Sequence, residues 1–309
     1  MTDASTDERV ARDRSLLPDD ERIAYIRADR YVRVPIAERA LGLLETLLHY
    51  PQRDRMPCLL IYGDTGMGKT EIVRKFERDH PPVFNATTGV TTMPVVMFQI
   101  PPEPVEGDFY AELLRAIGVP TQMQPHPRAA RDLARRLLVE MGTRMLILDE
   151  VHAMLAGTHR QQRIFLNTIR FLTNDLRLPI VCSGTQDARI ALLTDPQLAE
   201  RFDALYLDHW CNDQALQRLL ASFAAILPLR GSVQIESASV RRRVIDMTDG
   251  NTGRIFRLVE AVAIAAIVSG RECIDEGSFD APDVILPLVS MQTRQRATQP
   301  RRAKAVASV

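Results

Sequence analysis

The chain has 309 residues, 46% hydrophobic and 25% charged, the profile of a globular protein with one large or two modest domains. Lysine plus arginine and aspartate plus glutamate both number 39, for a formal net charge of zero. That excludes a globally basic coat for wrapping nucleic acid and leaves only local patches open.

Residues 1–20 read as a charged, poorly ordered leader. Met1 to Asp13 has no apolar signal core, and the most apolar stretch, Leu258–Val268, carries Glu260 and is too short to span a bilayer. Cys58, Cys182, Cys211 and Cys273 are scattered without a C-x-x-C pair, so neither a zinc cage nor a disulfide framework is expected. A reduced, cytoplasmic protein is the expectation. Asp19 to Pro35 mixes apolar and charged residues, and Ile36–Tyr50 is an apolar-periodic helix stopped by Pro51. Short apolar runs then alternate with amphipathic stretches: CLLIY (58–62), VVMFQI (95–100), MLILD (145–149), PIVCS (179–183) and ALYLD (204–208). Continuous apolar strands between helices mark a parallel sheet buried on both faces. After His209 the strands stop, and Asp213–Leu227, Ser237–Thr248 and Thr252–Val268 read as helices, with a weaker fourth within Ala281–Gln292. The expected domains are therefore an α/β domain at 21–208, a helical domain at 209–292 and a flexible basic tail at 293–309.

Gly63–Thr70, GDTGMGKT, fits G-x-x-x-x-G-K-[ST] between the CLLIY strand and a helix from Lys69 to Asp79. Gly63, Gly66 and Gly68 let the backbone turn until N–H groups of the loop, Asp64, Thr65 and Met67 included, face nucleotide phosphates. The helix N-terminus adds partial positive charge. Lys69, one of only three lysines, supplies a point charge, and the Thr70 hydroxyl a Mg²⁺ ligand. MLILDEVH (145–152) delivers Asp149 and Glu150 at a strand's C-terminal end, where open α/β sheets bind ligands. Asp149 suits the metal, and Glu150 suits polarising a water for ATP hydrolysis. His152 completes Asp-Glu-x-His, but the roughly 100 residues after the sheet supply no second nucleotide-clasping domain of the helicase kind; it reads as a local hydrogen-bonding residue. VVMFQI is expected at the sheet edge beyond the acidic strand. PIVCSGT then lies between the phosphate-loop and acidic strands and aims Thr185 at the γ-phosphate, with Ser183 and Gln186 as alternatives.

These pieces, with helices behind them, resemble the AAA+ ATPases. The resemblance implies a P-loop NTPase with a five-stranded parallel sheet of order 5-1-4-3-2 and a small helical lid. It nominates Arg201, in DPQLAERFDALYL (195–207), to act in trans on a neighbour's nucleotide, and Arg254, in GNTGRIFRLVE (250–260), to touch phosphates in cis. The segment from Asp20 to Leu41, then HYPQRDRMPCLLIYGDTGMGKTEIVRKF (49–76) and LILDEVH, is similar to the TniB family. TniB proteins are AAA+ helpers of DDE-type transposases, related to TnsC, MuB and IstB. The similarity spans roughly residues 20–270 and implies ATP and Mg²⁺ as cofactors, with duplex DNA, a DDE-type transposase and further copies of the chain as partners. Those copies form a ring or a helical filament. It also places Tyr31 and Val32 near adenine. Met67 departs from the polar residue expected before Gly68, which backbone-mediated contacts tolerate.

For DNA, the residues themselves nominate Arg128, Arg131 and Arg135 on one helix face and Arg160 and Arg163 on the helix after the acidic strand. Each is equally readable as a solvated helix face. The tail is either a phosphate-binding arm, a peptide captured by a transposase, or a solvated terminus. A protein-remodelling ATPase acting on polypeptides is the alternative, with Phe109 and Tyr110 as its only aromatic pore-loop candidates.

Overall fold

The computed structural model describes residues 11, 13–28, 31–103, 105–120, 126–156 and 158–281. They fall into two compact units: one spans Pro35–Asp208, and the other joins the described residues before Pro35 to those from His209 onward. Helix α1 (Asp19–Arg27) belongs to the second unit, and α2 (Pro35–Leu48) opens the first.

In the first unit, α2 buries Ala37, Ala40, Leu44, Leu47 and Leu48, the stripe that helical periodicity predicts. Strand β1 (Cys58–Tyr62) leads to an antiparallel hairpin, β2 (Val83–Asn85) and β3 (Val90–Thr92). Then come β4 (Val95–Gln99), β5 (Met145–Asp149), β6 (Ile180–Gly184) and β7 (Phe202–Tyr206). The sheet order is β4-β5-β6-β1-β7, every neighbouring pair parallel. Numbering only its own five strands in chain order, this is 5-1-4-3-2 read from the β7 edge. Strands β5 and β6 are buried at all five positions, as parallel strands covered on both faces must be. The flanking helices are α3 (Lys69–Asp79), α4 (Glu106–Ala116), α5 (Pro127–Glu140), α6 (His159–Asp175), α7 (Gln186–Leu193) and the short α8 (Pro196–Ala199).

Two sequence expectations shift here. The last strand is Phe202–Tyr206, starting two residues before ALYLD, because register against β1 pairs Cys58 with Phe202 and Tyr62 with Tyr206. The β2–β3 hairpin was not expected. Its strands are three residues each, too short for a clear alternation, and the Asn85 side chain holds its turn by accepting from the N–H groups of Thr87 and Thr88. Phe109 and Tyr110 are fully buried, Phe109 packing edge-on against Phe98, Tyr110 and Phe165 with ring centroids 5.2 to 5.4 Å apart. They are core, and no pore loop is built from them.

The second unit contains α9 (Gln214–Ile226), α10 (Ala238–Thr248) and α11 (Thr252–Val268). Each starts on a side chain that accepts from a first-turn N–H: Asp213, Ser237 and Asn251. The domain boundary expected at residue 21 is corrected. Helix α1 packs on α11, and Arg22 is fully buried there. Its guanidinium forks onto Glu272 at 2.7 and 2.8 Å and also donates to Asp19 and the Pro228 carbonyl. A buried guanidinium demands such partners, and only the helical unit holds them. The end of the expected leader is likewise ordered, since Arg230 donates to the carbonyls of Ser15 and Leu17. The helix expected within 281–292 lies, from residue 282 onward, outside the described residues, as does the tail. Among the described residues, no helix is long and apolar enough to cross a membrane.

Candidate functional site

The C-terminal ends of β1, β5 and β6 meet at one edge of the sheet. From β1 the chain turns through Gly63–Gly68 into α3. Gly66 and Gly68 have φ of 83° and 87°, left-handed values that a side chain would resist. Lys69, the first residue of α3, is buried at 5% exposure, and its ammonium donates to the carbonyls of Gly63 and Asp64 at 2.9 and 2.8 Å. Burial pushes its pKa down, opposed by the carboxylates of Glu150, Asp149 and Asp64. The lysine thus sits buried beside three acids at the mouth of the turn.

The next residue, Thr70, donates its hydroxyl to Asp149 Oδ2 at 2.8 Å. These are the two residues assigned to the metal, 79 positions apart in sequence and brought into contact by the sheet. A hydroxyl and a carboxylate suit Mg²⁺, which takes few protein oxygens and completes its shell with water and phosphate. Asp149 Oδ1 accepts the Glu150 N–H at 3.0 Å, so one carboxylate is hydrogen-bonded both to the Thr70 hydroxyl and to the backbone of the candidate general base. Glu150 adopts φ 57°, a strained conformation for a side chain with Cβ and one that clusters at functional sites.

Strand β6 contributes hydroxyls. Ser183 is fully buried and Thr185 half-buried, and neither Ser183 Oγ nor Thr185 Oγ1 has a hydrogen-bond partner among the described residues. Unsatisfied buried hydroxyls are costly, and these stand where β6 ends beside the phosphate turn, with the Gly63 N–H donating to the Gly184 carbonyl at 3.3 Å. The cradle's glycines, its buried cation, the Thr70–Asp149 pair and the two open hydroxyls together fit a nucleoside triphosphate with Mg²⁺. Bound, that group would supply the phosphoryl bond to be cleaved and the charge that polarises it.

Arg201 lies elsewhere. Its carbonyl accepts from the Cys58 N–H at 2.8 Å, which places it at the start of β1, while the phosphate turn follows the end of β1. Five strand residues separate them, about 17 Å, further than an arginine side chain extends. Its guanidinium bonds Thr173 Oγ1 at 3.1 Å and Asn174 Oδ1 at 2.7 Å. Arg201 therefore does not join its own cradle. Arg254, Tyr31 and Val32 belong to the helical unit. Arg254 pairs with Asp249 Oδ2 at 2.9 Å, and Tyr31 and Val32 are half-buried in the segment preceding Pro35.

The DNA candidates divide. Arg135 forks onto Asp175 at 2.5 and 2.6 Å, so its charge is already neutralised, contrary to a role as a free phosphate contact. Arg131 shares the Phe171 ring with it, at 5.7 and 5.6 Å from the centroid. Arg128 is exposed. Arg160 and Arg163 are exposed too and line a shallow concavity on the first turns of α6 with His159, Ile164 and Asn167. All four cysteines are free thiols, and burial pushes Cys58 up to about 12, which leaves it inert.

A family model for the bacterial TniB protein matches residues 22–212. Among solved structures, Cdc6p from Pyrobaculum aerophilum is 20% identical, with 84% of this chain and 68% of that chain covered at a TM-score of 0.59. Orc1 from Aeropyrum pernix, solved in complex with DNA, is 15% identical, covering 89% and 69% at 0.58. A Walker-type ATPase of Pyrococcus abyssi is 16% identical, covering 88% and 73% at 0.52. At these identities the structural likeness establishes a shared AAA+ fold. No curated protein matches the chain.

Proposed function

This chain belongs to the TniB family, and on that premise we propose that it is an ATP-hydrolysing regulator of DNA transposition. In this reading it assembles on duplex DNA in the ATP state, recruits or activates a DDE-type transposase, and uses hydrolysis to release the assembly. The observation that carries the catalytic half is the Thr70–Asp149 contact with Glu150 beside it. Metal ligands and general base then meet at the mouth of a phosphate turn. Lys69 and the turn hold the triphosphate, Thr70 and Asp149 hold Mg²⁺, Thr185 or Ser183 contacts the γ-phosphate, and Glu150 orients the attacking water. Arg201, out of reach of its own cradle, serves a neighbouring copy; Arg254 serves nucleotide from the helical unit. Tyr31 and Val32 are assigned to the adenine.

The DNA half is supported by the family and by the exposed Arg160 and Arg163 on α6. Contacts of this kind are electrostatic, sequence-tolerant and salt-sensitive. A chain of zero net charge binds weakly alone, and repeating one patch per subunit along a duplex compensates. The polypeptide-remodelling alternative loses its pore-loop residues to the core.

The test is particle size by light scattering with ATP, duplex DNA, both and neither, for wild type and Lys69→Ala. Large particles are expected only for wild type with both ligands. Equal DNA binding by the two proteins, with and without ATP, would overturn the reading.

A further inference from the structure

His152 is outside the catalytic set assigned above, yet the structure brings it to the general base. Its Nδ1 is buried, has no hydrogen-bond partner among the described residues, and lies 3.3 Å from Glu150 Oε2. Both side chains are about one-third exposed, at 36% and 37%. Glu150 therefore has freedom to move and a neighbouring ring to restrict it. Its left-handed φ of 57° is a conformation that persists only where the surroundings over-determine it.

The chain around His152 supplies that constraint. Val151–Ala156 forms a 3₁₀ turn that packs on β6 and α7. The segments come together at Gly184, where a Cβ would lie 2.7 Å from Ala188 Cβ, 3.4 Å from the His152 backbone nitrogen and 3.5 Å from the Val151 backbone nitrogen. Glycine is required here by the approach of α7 at Ala188, and the backbone of the turn lies in ordinary van der Waals contact beside it. The residues flanking Gly184 are Ser183 and Thr185, whose buried hydroxyls lack partners among the described residues. Three unsatisfied polar atoms, Ser183 Oγ, Thr185 Oγ1 and His152 Nδ1, thus sit on two segments in direct contact. Buried polar atoms left open in this way point to a function.

We propose that His152 is a positioning residue for hydrolysis: it holds Glu150 Oε2 so that the other carboxylate oxygen faces the phosphate cradle, and it links that carboxylate to the Ser183–Thr185 segment. The inference rests on the reading that Glu150 is the general base for ATP hydrolysis. A small turn of the imidazole brings the Nδ1–H tautomer, now 3.3 Å from Oε2, into line to donate to it, and Oε1 is left to accept a proton from water. The Glu150 carboxylate already acts on the Lys69 ammonium in the cradle, together with Asp149 and Asp64. A γ-phosphate engaging Thr185 or Ser183 would press the end of β6 against the turn carrying His152. The general base and the phosphate-contacting strand are then set together.

The experiment measures ATP affinity and hydrolysis at saturating Mg-ATP, with duplex DNA present, for wild type, His152→Ala, His152→Gln, Glu150→Gln and Glu150→Gln/His152→Ala. General-base catalysis contributes about 10²- to 10⁴-fold, and misorienting the base forfeits part of that. His152→Ala is expected to lower kcat about ten- to a hundredfold while ATP affinity changes less than about threefold. His152→Gln, whose amide N–H can donate to the carboxylate, should recover most of the rate. In the Glu150→Gln background, removing His152 should cost nothing further, because the two residues act as one unit. Wild-type kcat in His152→Ala, an equal loss in the Glu150→Gln background, or no recovery by His152→Gln would each overturn the proposal. If Glu150→Gln itself hydrolyses ATP normally, the hydrolysis reading fails first; if it is inactive while His152→Ala is not, only the positioning role fails.

Discussion

Arg22→Ala tests the least expected feature of the fold, the attachment of the N-terminal helix to the helical unit. Arg22 is fully buried and spends its guanidinium on Glu272, Asp19 and the Pro228 carbonyl. Removing one partner of a buried ion pair costs about 3–5 kcal/mol, because the other charge stays desolvated. Here Glu272 is left with a side chain 14% exposed and with Arg230, whose N–H lies at 3.2 Å and guanidinium at 3.5 Å. That residual partner argues for the lower end, about 3 kcal/mol. For a unit on the order of 100 residues this is a fall of about 12 °C or more in melting temperature. The assay is thermal unfolding by circular dichroism, with amide exchange along α11 to localise the loss. The double variant Arg22→Met/Glu272→Leu should recover much of the stability, since apolar residues of similar volume replace buried ion pairs at little cost. A melt of Arg22→Ala within about 2 °C of wild type would show that the network is wet and that α1 is held by something else.

The same network has a pH signature. Glu272 is held below its usual range first by the Arg22 hydrogen bonds. The folded state therefore binds fewer protons than the unfolded one, and its stabilisation is complete above the ordinary glutamate pKa. It is lost as pH falls through the lowered folded value. Urea midpoints between about pH 6 and pH 3 should drop less steeply in Glu272→Gln than in wild type; identical profiles would refute the assignment. Asp19 and Asp275, also lowered, keep a residual slope. For Arg201, the test is subunit mixing. Arg201→Ala and Glu150→Gln, the latter still able to bind ATP and assemble, should each be inactive, by about 10³-fold or more for the arginine. An equal mixture should regain activity at about a quarter of its interfaces, where an intact arginine meets an intact Glu150. Mixtures as dead as their parents would exclude action in trans. On DNA, Arg163→Ala should reduce the salt dependence of binding by about one unit of slope. Arg135→Ala should leave that slope unchanged and lower stability, because its charge is committed to Asp175; the reverse result would reassign the patch.

What could be read from the sequence was whatever chemistry writes locally. A phosphate turn needs small residues, a lysine and a hydroxyl at fixed spacing, so Gly63–Thr70 was legible. The same holds for Asp149 and Glu150, because two acids closing a fully apolar strand are costly unless a cation or a substrate meets them there. The strand order followed from the class those motifs indicated. What sequence could not show was pairing over distance. Arg22 and Glu272 are 250 positions apart, and on a charged N-terminal segment Arg22 looks like any solvated arginine. Arg135 lay on a helix face that read as basic, and only the fold brings Asp175 across 40 positions to neutralise it. His152 was visible as a residue of the acidic motif, but its approach to Glu150 follows the left-handed turn at Glu150, which has no periodic signal. The β2–β3 hairpin was missed because three-residue strands are shorter than any reliable alternation.

The parallel sheet imposes a further consequence on the proposed function. All strands run the same way, so every group at their C-terminal ends can meet one nucleotide, and every group at their N-terminal ends is a strand's length away from it. Lys69, Thr70, Asp149, Glu150, Ser183 and Thr185 are of the first kind; Arg201 is of the second. If the transition state needs an arginine, one copy of the unit containing Arg201 cannot bring that residue to its own cradle, and hydrolysis is limited to assembled copies. Assembly of a neutral chain on DNA is in turn favoured by repeating one exposed arginine patch along the duplex, since tethering to a common strand raises effective concentration without new contacts. DNA length, particle size and hydrolysis rate should therefore rise together. Duplexes too short to seat two copies should bind without stimulating hydrolysis, and stimulation by such short duplexes, measured at equal bound DNA, would show that the arginine is not the limiting group.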